Sequence, residues 1–212
     1  MRLILVRHGD AVAGFNGLVA GPAGCTGLTP RGRRQAEALR DHLASSGRVR
    51  ADALLVSLLP RAIETAEIIS PALGIEMAAP RCDLCEVHPG EADGLEWAEY
   101  TVRYGSFDMA AEPERVFAPA GESWNSFHER VQQMLETLAR DHAEQTVVAV
   151  CHAGVIMASL RVLLDIPRPG TRAQLRPTNT GLTEWEHEPL LDRWTLHTFN
   201  EASHLLGFEL TE

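Results

Sequence analysis

Two apolar runs, far apart in the chain, each stop at a histidine that is followed within two residues by glycine. Leu3-Ile4-Leu5-Val6 gives way to Arg7-His8-Gly9, and Val147-Val148-Ala149-Val150-Cys151 gives way to His152-Ala153-Gly154. Short continuous apolar runs of this kind fit strands covered on both faces of a parallel sheet. The carboxyl ends of such strands open on the crevice where ligands bind. Two of these ends side by side would bring two imidazoles into one crevice. An arginine fork that matches phosphate oxygens and a glycine that admits a close ligand would join them.

Helical patterns separate the strands. Thr29-Pro30 opens a helix, with Thr as N-cap, Pro at the first helical position, and Ala36, Leu39 and Leu43 as its buried stripe. Residues 10–28 before it read as a glycine-rich loop. Ala53 to Val56 form a second strand that ends at Ser57, and from Pro60 a helix carries Ala62, Ala66, Ile69 and Leu73 on one side. A short strand is predicted around residues 75–78. Residues 79–121 are irregular, with a short helix around 95–104, and read as a cap or lid over the crevice. Ser123 begins another helix, with Phe127, Val131, Met134 and Leu138 at helical spacing, and the helix after His152 presents Ile156, Leu160 and Leu163. Leu182–His187 and Trp194–Phe199 read as late strands joined near Asp192-Arg193, an antiparallel pair at one side of the sheet. Strands alternating with helices predict one domain over residues 1–212, a three-layer α/β/α sandwich with a mostly parallel central sheet.

The formal net charge of −10 disfavours binding to nucleic acid or to an anionic membrane surface. An anionic substrate would have to be captured by a local basic pocket. No stretch is long and apolar enough to span a bilayer, and the first apolar segment is too short for a secretory signal, so the expected location is the cytoplasm. Of the four cysteines, Cys25, Cys82, Cys85 and Cys151, two form a Cys-x-x-Cys with His88 nearby. A fourth ligand is missing, so the pair reads as reduced thiols, and neither a metal nor a cofactor is expected. Nothing in the sequence decides whether the chain forms a homodimer.

The second strand leads into Ser57-Leu58-Leu59-Pro60-Arg61-Ala62. A cation is disfavoured in the first turn of a helix. Arg61 there needs a partner, either a bound anion or Glu64 and solvent; the sequence leaves both open.

Taken in order, these segments resemble the histidine phosphatase superfamily, in its phosphoglycerate-mutase-like branch. Val6-Arg7-His8-Gly9-Asp10 matches the family's opening motif. Leu28-Thr29-Pro30-Arg31-Gly32-Arg33-Arg34-Gln35-Ala36 matches its Leu-Thr-x-x-Gly-x-x-Gln-Ala segment. Further matches are Ser57, Arg61, Ala62, Thr65 and Ala66; Leu84, Glu86, Gly90 and Gly94; Gly121-Glu122-Ser123; and His152-Ala153-Gly154. The resemblance implies a phosphoglycerate-mutase-like fold. It implies His8 as a nucleophile that forms a phosphohistidine, Arg7, Arg61 and His152 as holders of the phosphoryl oxygens, and Glu86 as proton donor to the leaving oxygen. Glu86 is preferred to Glu91, Glu96 and Glu99 because Gly90 and Gly94 follow it at the family spacing. The family often has Asn six residues after the nucleophile; here that place is Gly14, and Asn16 two positions on is the candidate replacement. Thr26, Gly27 and Ala153 are further candidate contacts to phosphate. Asn179 either supports the site or simply makes a turn.

The activity implied is metal-independent hydrolysis of a small phosphate monoester. The alternatives are a phosphoglycerate mutase, whose known members are usually longer, and a non-catalytic phospho-ligand binding module. Trp97, Tyr100, Arg103, Tyr104, Arg115 and Phe117 in the cap would either contact an organic group or cover the core.

Overall fold

The computed structural model describes residues 1–109, 111–166 and 175–208. Ala110 of the predicted cap, residues 167–174 and residues 209–212 lie outside that range. The elements in chain order are β1 (Arg2–Arg7), α1 (Val12–Phe15), α2 (Pro30–Ser46), β2 (Ala53–Val56), α3 (Pro60–Leu73), α4 (Trp97–Tyr104), α5 (Trp124–Asp141), β3 (Thr146–Cys151), α6 (Ala153–Leu163), β4 (Leu182–Glu188) and β5 (Arg193–Glu201). The five strands form one sheet in the order β2-β3-β1-β4-β5. β1, β2 and β3 run parallel, while β4 is antiparallel to β1 and β5 antiparallel to β4. Four of the five strands therefore point the same way.

The period-2 alternation of the strands sorts the core into two layers. Leu3, Leu5, Val147 and Ala149 face one side and pack with Phe127, Val131 and Met134 of α5 and Val155 and Ile156 of α6. Ile4, Val6, Val148 and Val150 face the other and pack with Leu39 and Leu43 of α2 and Ala62, Ala66 and Ile69 of α3. β1, β2 and β3 bury both faces, which is why their sequences are almost continuously apolar. The sandwich is the predicted one.

Local signals behave as the sequence implies. The Thr29 side chain accepts from the Gly32 N–H at the start of α2, and Ser123 does the same for Ser126 at the start of α5. α2 and α3 both stop at a glycine with positive φ, Gly47 and Gly74.

Two expectations fail. Residues 75–78 form no strand. The chain beside β2 makes only isolated bridges, Leu54 with Met77 and Ser57 with Arg81, and Pro80 between them has no N–H with which to extend a ladder. Residues 10–28 are not all loop, because Phe15 and Asn16 donate back to Ala11 and Val12 and close the short helix α1.

The segment between α3 and α5 carries a cluster of its own. Tyr100 and Ala92 are buried with Val19 and Ala118, and the Tyr100 and Phe117 rings stack at 4.6 Å. Arg115 lies over the Phe107 ring and donates to the Tyr104 carbonyl. These side chains fill the interior of this segment. Trp97 is about half exposed, at 49%.

Candidate active site

The register of one ladder sets the two histidines. Arg7 of β1 pairs with Cys151 of β3, so His8 and His152 leave adjacent strands at the same level. The His8 N–H donates to the Cys151 carbonyl at 3.0 Å. The two rings lie 5.0 Å apart between centroids, and both residues are buried. The next rung outward adds β2, where Ser57 N–H bonds to the Val150 carbonyl and α3 begins three residues later.

Arg61 in the first turn of α3 is buried. Its Nε–H donates to His8 Nε2 at 3.1 Å and its Nη1 to the Ala20 carbonyl at 3.0 Å. Glu64 does not pair with it; that carboxylate is taken by Arg33 at 2.6 Å and by the Leu28 N–H. Of the two partners left open by the sequence, the exposed one is removed, and Arg61 is aimed at the histidine.

His8 is held from both sides. Nδ1 lies 2.6 Å from the Gly9 carbonyl, an acceptor that needs a proton on Nδ1. Nε2 receives the Arg61 donor and so carries a lone pair. The ring is the neutral Nδ1–H tautomer with the lone pair of Nε2 facing Arg61. Burial, and then Arg61 and Arg7, hold its pKa well below the ordinary histidine value. Asn179 Nδ2 donates to the His8 carbonyl at 2.9 Å and Thr65 Oγ1 accepts from the Gly9 N–H at 3.0 Å. Asn179 thus makes its turn and supports the His8 backbone as well. Gly9 is pressed so closely on the Gly32 backbone that a Cβ would collide with its carbonyl.

Around His8 lie two buried nitrogens with no partner among the described residues. Arg7 gives one nitrogen to the Pro177 carbonyl at 2.6 Å, while its Nε is buried without a partner, as is Nδ1 of His152. Nε2 of His152 is anchored on Ser57 Oγ at 2.8 Å. Burial, Arg61 and His8 keep the His152 pKa well below its usual value. The free Arg7 Nε–H, the Arg61 guanidinium and a His152 Nδ1 that becomes a donor when that ring is protonated form a socket for an oxyanion.

Glu86 reaches this socket from the segment after α3. Its Oε2 accepts the Gly154 N–H in the first turn of α6 at 3.0 Å, and it is close enough to Arg7 to raise that pKa against the lowering effect of burial. Any side chain at Gly154 would overlap the carboxylate. The loop itself is clamped by Arg130 of α5. One guanidinium donates to the carbonyls of Asp83, Cys85 and Glu86 and makes a two-point pair with Glu122 at 2.7 and 2.8 Å.

The structure therefore brings Arg7, His8, Arg61, Glu86 and His152 together. Ala153 follows His152 as the first residue of α6. Asn16, at the end of α1, and Thr26 are exposed; Gly27, at φ +103°, gives its carbonyl to the Val12 N–H and is closed in by Glu64. Sequence reasoning missed the work of Ser57, Thr65, Glu122 and Arg130. Ser57, Thr65 and Glu122 stand in the segments that resemble the family, and Ser57 is also a polar residue ending a buried strand; Arg130 carried no such signal.

Residues 3–202 match the model of the histidine phosphatase superfamily, branch 1. The chain is 29% identical over 209 residues to phosphoglycerate mutase-like protein 4 of Arabidopsis thaliana, covering 96% of this chain and 86% of the relative. It is 26% identical over 212 residues to the metal-independent phosphoserine phosphatase of the same plant, covering 97% and 84%. Among solved structures, a mycobacterial glucosyl-3-phosphoglycerate phosphatase in complex with VO3 superposes with a TM-score of 0.77 at 25% identity, over 94% of this chain and 99% of that one.

Proposed function

The chain belongs to the histidine phosphatase superfamily, and from that premise we propose that it hydrolyses a small phosphate monoester through a phosphohistidine on His8. The observation that carries this reading is the bracketing of His8 between the Gly9 carbonyl and Arg61 Nε. It fixes a neutral imidazole with its lone pair in the socket, the form that attacks an anionic phosphoryl group.

In the first step His8 Nε2 forms a bond to phosphorus as the ester oxygen leaves. Arg61 turns its Nε–H from the imidazole to an equatorial oxygen, and Arg7 Nε takes another. His152 contributes through Nδ1 once the ligand's charge has favoured its protonated form. Charge-assisted hydrogen bonds contribute about 1.5–3 kcal/mol each, and these act where charge shifts in the transition state. Glu86 protonates the leaving oxygen, a contribution of about 10²–10⁴-fold. Water then attacks the phosphohistidine with Glu86 as base. These side chains supply the positive charge that the phosphoryl group needs without calling on a metal. Asn16, Thr26, Gly27 and Ala153 are proposed as outer contacts to the ligand, and the segment around residues 79–121 as the lid. Substrates named for the relatives, phosphoserine and glucosyl-3-phosphoglycerate, make a small phosphorylated metabolite the proposed class. The four free thiols support a reducing, cytoplasmic setting.

The test is release of inorganic phosphate from a chromogenic phosphate ester in the presence of chelator, together with rapid acid quench for labile protein phosphate. His8→Ala is expected to abolish both. Full turnover in that variant removes the nucleophile. Transfer between 3- and 2-phosphoglycerate with no net release makes the enzyme a mutase. Phosphate affinity without turnover of any ester makes the chain a binding module.

A further inference from the structure

Beside Glu86 a cavity of about 340 Å³ opens, lined among others by Cys82, Cys85, His88, Leu58 and Leu59. The two thiols and the imidazole that the sequence left as unremarkable neighbours are brought together there. One ligand atom from each lies within 4.8 Å of the others, and Cys82 Sγ is 3.3 Å from His88 Nε2. We propose that Cys82 Sγ, Cys85 Sγ and His88 Nε2 bind one divalent ion of the zinc class, with water from the cavity as the fourth ligand.

The spacing suits that ion. A tetrahedral centre with Zn–S of about 2.3 Å and Zn–N of about 2.0 Å holds its ligand atoms roughly 3.5–3.8 Å apart. Only small side-chain adjustments separate the three groups from that arrangement. A missing fourth protein ligand, which counts against a closed structural site, is the ordinary state of an open one, where three protein ligands and a water complete the shell.

The surroundings provide what such ligands require. His88 presents Nε2 to Cys82 while its other nitrogen, Nδ1, lies 3.5 Å from Glu122 Oε1. This is the carboxylate–histidine arrangement that fixes a ligating ring. Glu122 is itself immobilised by Arg130, and the same guanidinium holds the carbonyls of Asp83 and Cys85. Ser57 Oγ donates to Cys85 Sγ at 3.2 Å, an outer hydrogen bond of the kind made to ligating sulfur. The ligands thus sit on a loop whose backbone and second contacts are already set. The three ligands are distinct from Arg7, Arg61 and His152 of the phosphate socket, and Ser57, which also anchors His152, joins the two.

Cobalt(II) is the probe. Reduced protein titrated with Co²⁺ is expected to develop intense tetrahedral bands in the visible and thiolate-to-metal charge transfer in the near ultraviolet, saturating at one equivalent. One equivalent of Zn²⁺ should bleach both. Cys82→Ser and His88→Gln, each checked for wild-type thermal melting, are expected to lose the one-equivalent saturation. Cys82 is exposed, so its variant tests the site without disturbing the core. A weak octahedral spectrum, or a tetrahedral one unchanged in both variants, overturns the proposal. The readout does not involve turnover, so its failure leaves the phosphatase reading untouched, and the reverse also holds.

Discussion

Arg61 donates its Nε–H to the Nε2 atom of His8 across 3.1 Å, and among the described residues no carboxylate is bonded to either side chain. A cation bonded to the lone pair of an imidazole holds the ring neutral and aimed. Arg61→Lys keeps the charge but loses the fork. It should lower kcat/KM for a chromogenic ester by roughly 10²–10³-fold, the usual cost of one transition-state donor. Arg61→Met removes a charge that depresses the His8 pKa, so the His8 resonance followed by NMR should titrate at higher pH.

Gly154→Ala should act as a selective lesion of Glu86, the proposed general acid. The new methyl group would occupy the place of the Glu86 carboxylate and displace it from the helix N-terminus. Hydrolysis of an alkyl phosphate, a poor leaving group, is expected to slow about 10²-fold or more, while an activated aryl phosphate slows much less. Parallel Michaelis measurements on the two esters check this, and Glu86→Gln should reproduce the same split. Equal slowing of both esters would show that Glu86 is not the acid.

Ser57→Ala tests a positioning residue. The hydroxyl anchors His152 Nε2 and receives the Leu59 N–H in a fully buried place. Its loss leaves those groups unpaired at about 1–3 kcal/mol, to be read by urea titration. A loosened His152 should raise KM more than it lowers kcat, and Ser57→Thr, which keeps the hydroxyl, should recover most of the loss.

Stability should fall on mild acidification. His8 and His152 are held well below the ordinary histidine pKa, chiefly by burial, and His204 is pushed down to about 4 by burial. Below a pH of about 6.5 the unfolded chain takes up protons that the folded one refuses. Each of these groups therefore costs stability as pH drops from about 6.5 toward its folded pKa, and none does so above that range. Thermal melts between about pH 4.5 and 7.5 should show the loss beginning near 6.5. His204→Gln should reduce the slope. Saturating orthophosphate should reduce it as well, because an anion in the socket makes a charged His152 favourable. A melting temperature flat across this range would contradict the buried, neutral histidines.

What could be read in advance follows from locality. The strands ending at Arg7, Val56 and Cys151, the Thr29 and Ser123 caps and the helix stripes depend on residues next to one another, and the chain writes them plainly. The convergence of His8 and His152 was legible because the ends of parallel strands share one edge, whereas Arg61 and Glu86 were joined to them only by the family resemblance. The supports were not legible. Arg130 bonds to carbonyls some 45 residues away, and a carbonyl leaves no mark in a sequence. The fate of Arg61 was open for a similar reason: whether Glu64 turns inward or toward Arg33 is decided by α2 packing on α3. Residues 75–78 looked like a strand because propensity is blind to whether a neighbour will offer a full ladder.

The pairing of Arg7 with Cys151 has a structural corollary. The His8 and His152 rings are carried together, as one piece of sheet, whereas Tyr100, Phe117 and their neighbours pack as a separate aromatic cluster. A substitution inside that cluster can change its packing while the rung that sets the two histidines keeps its register.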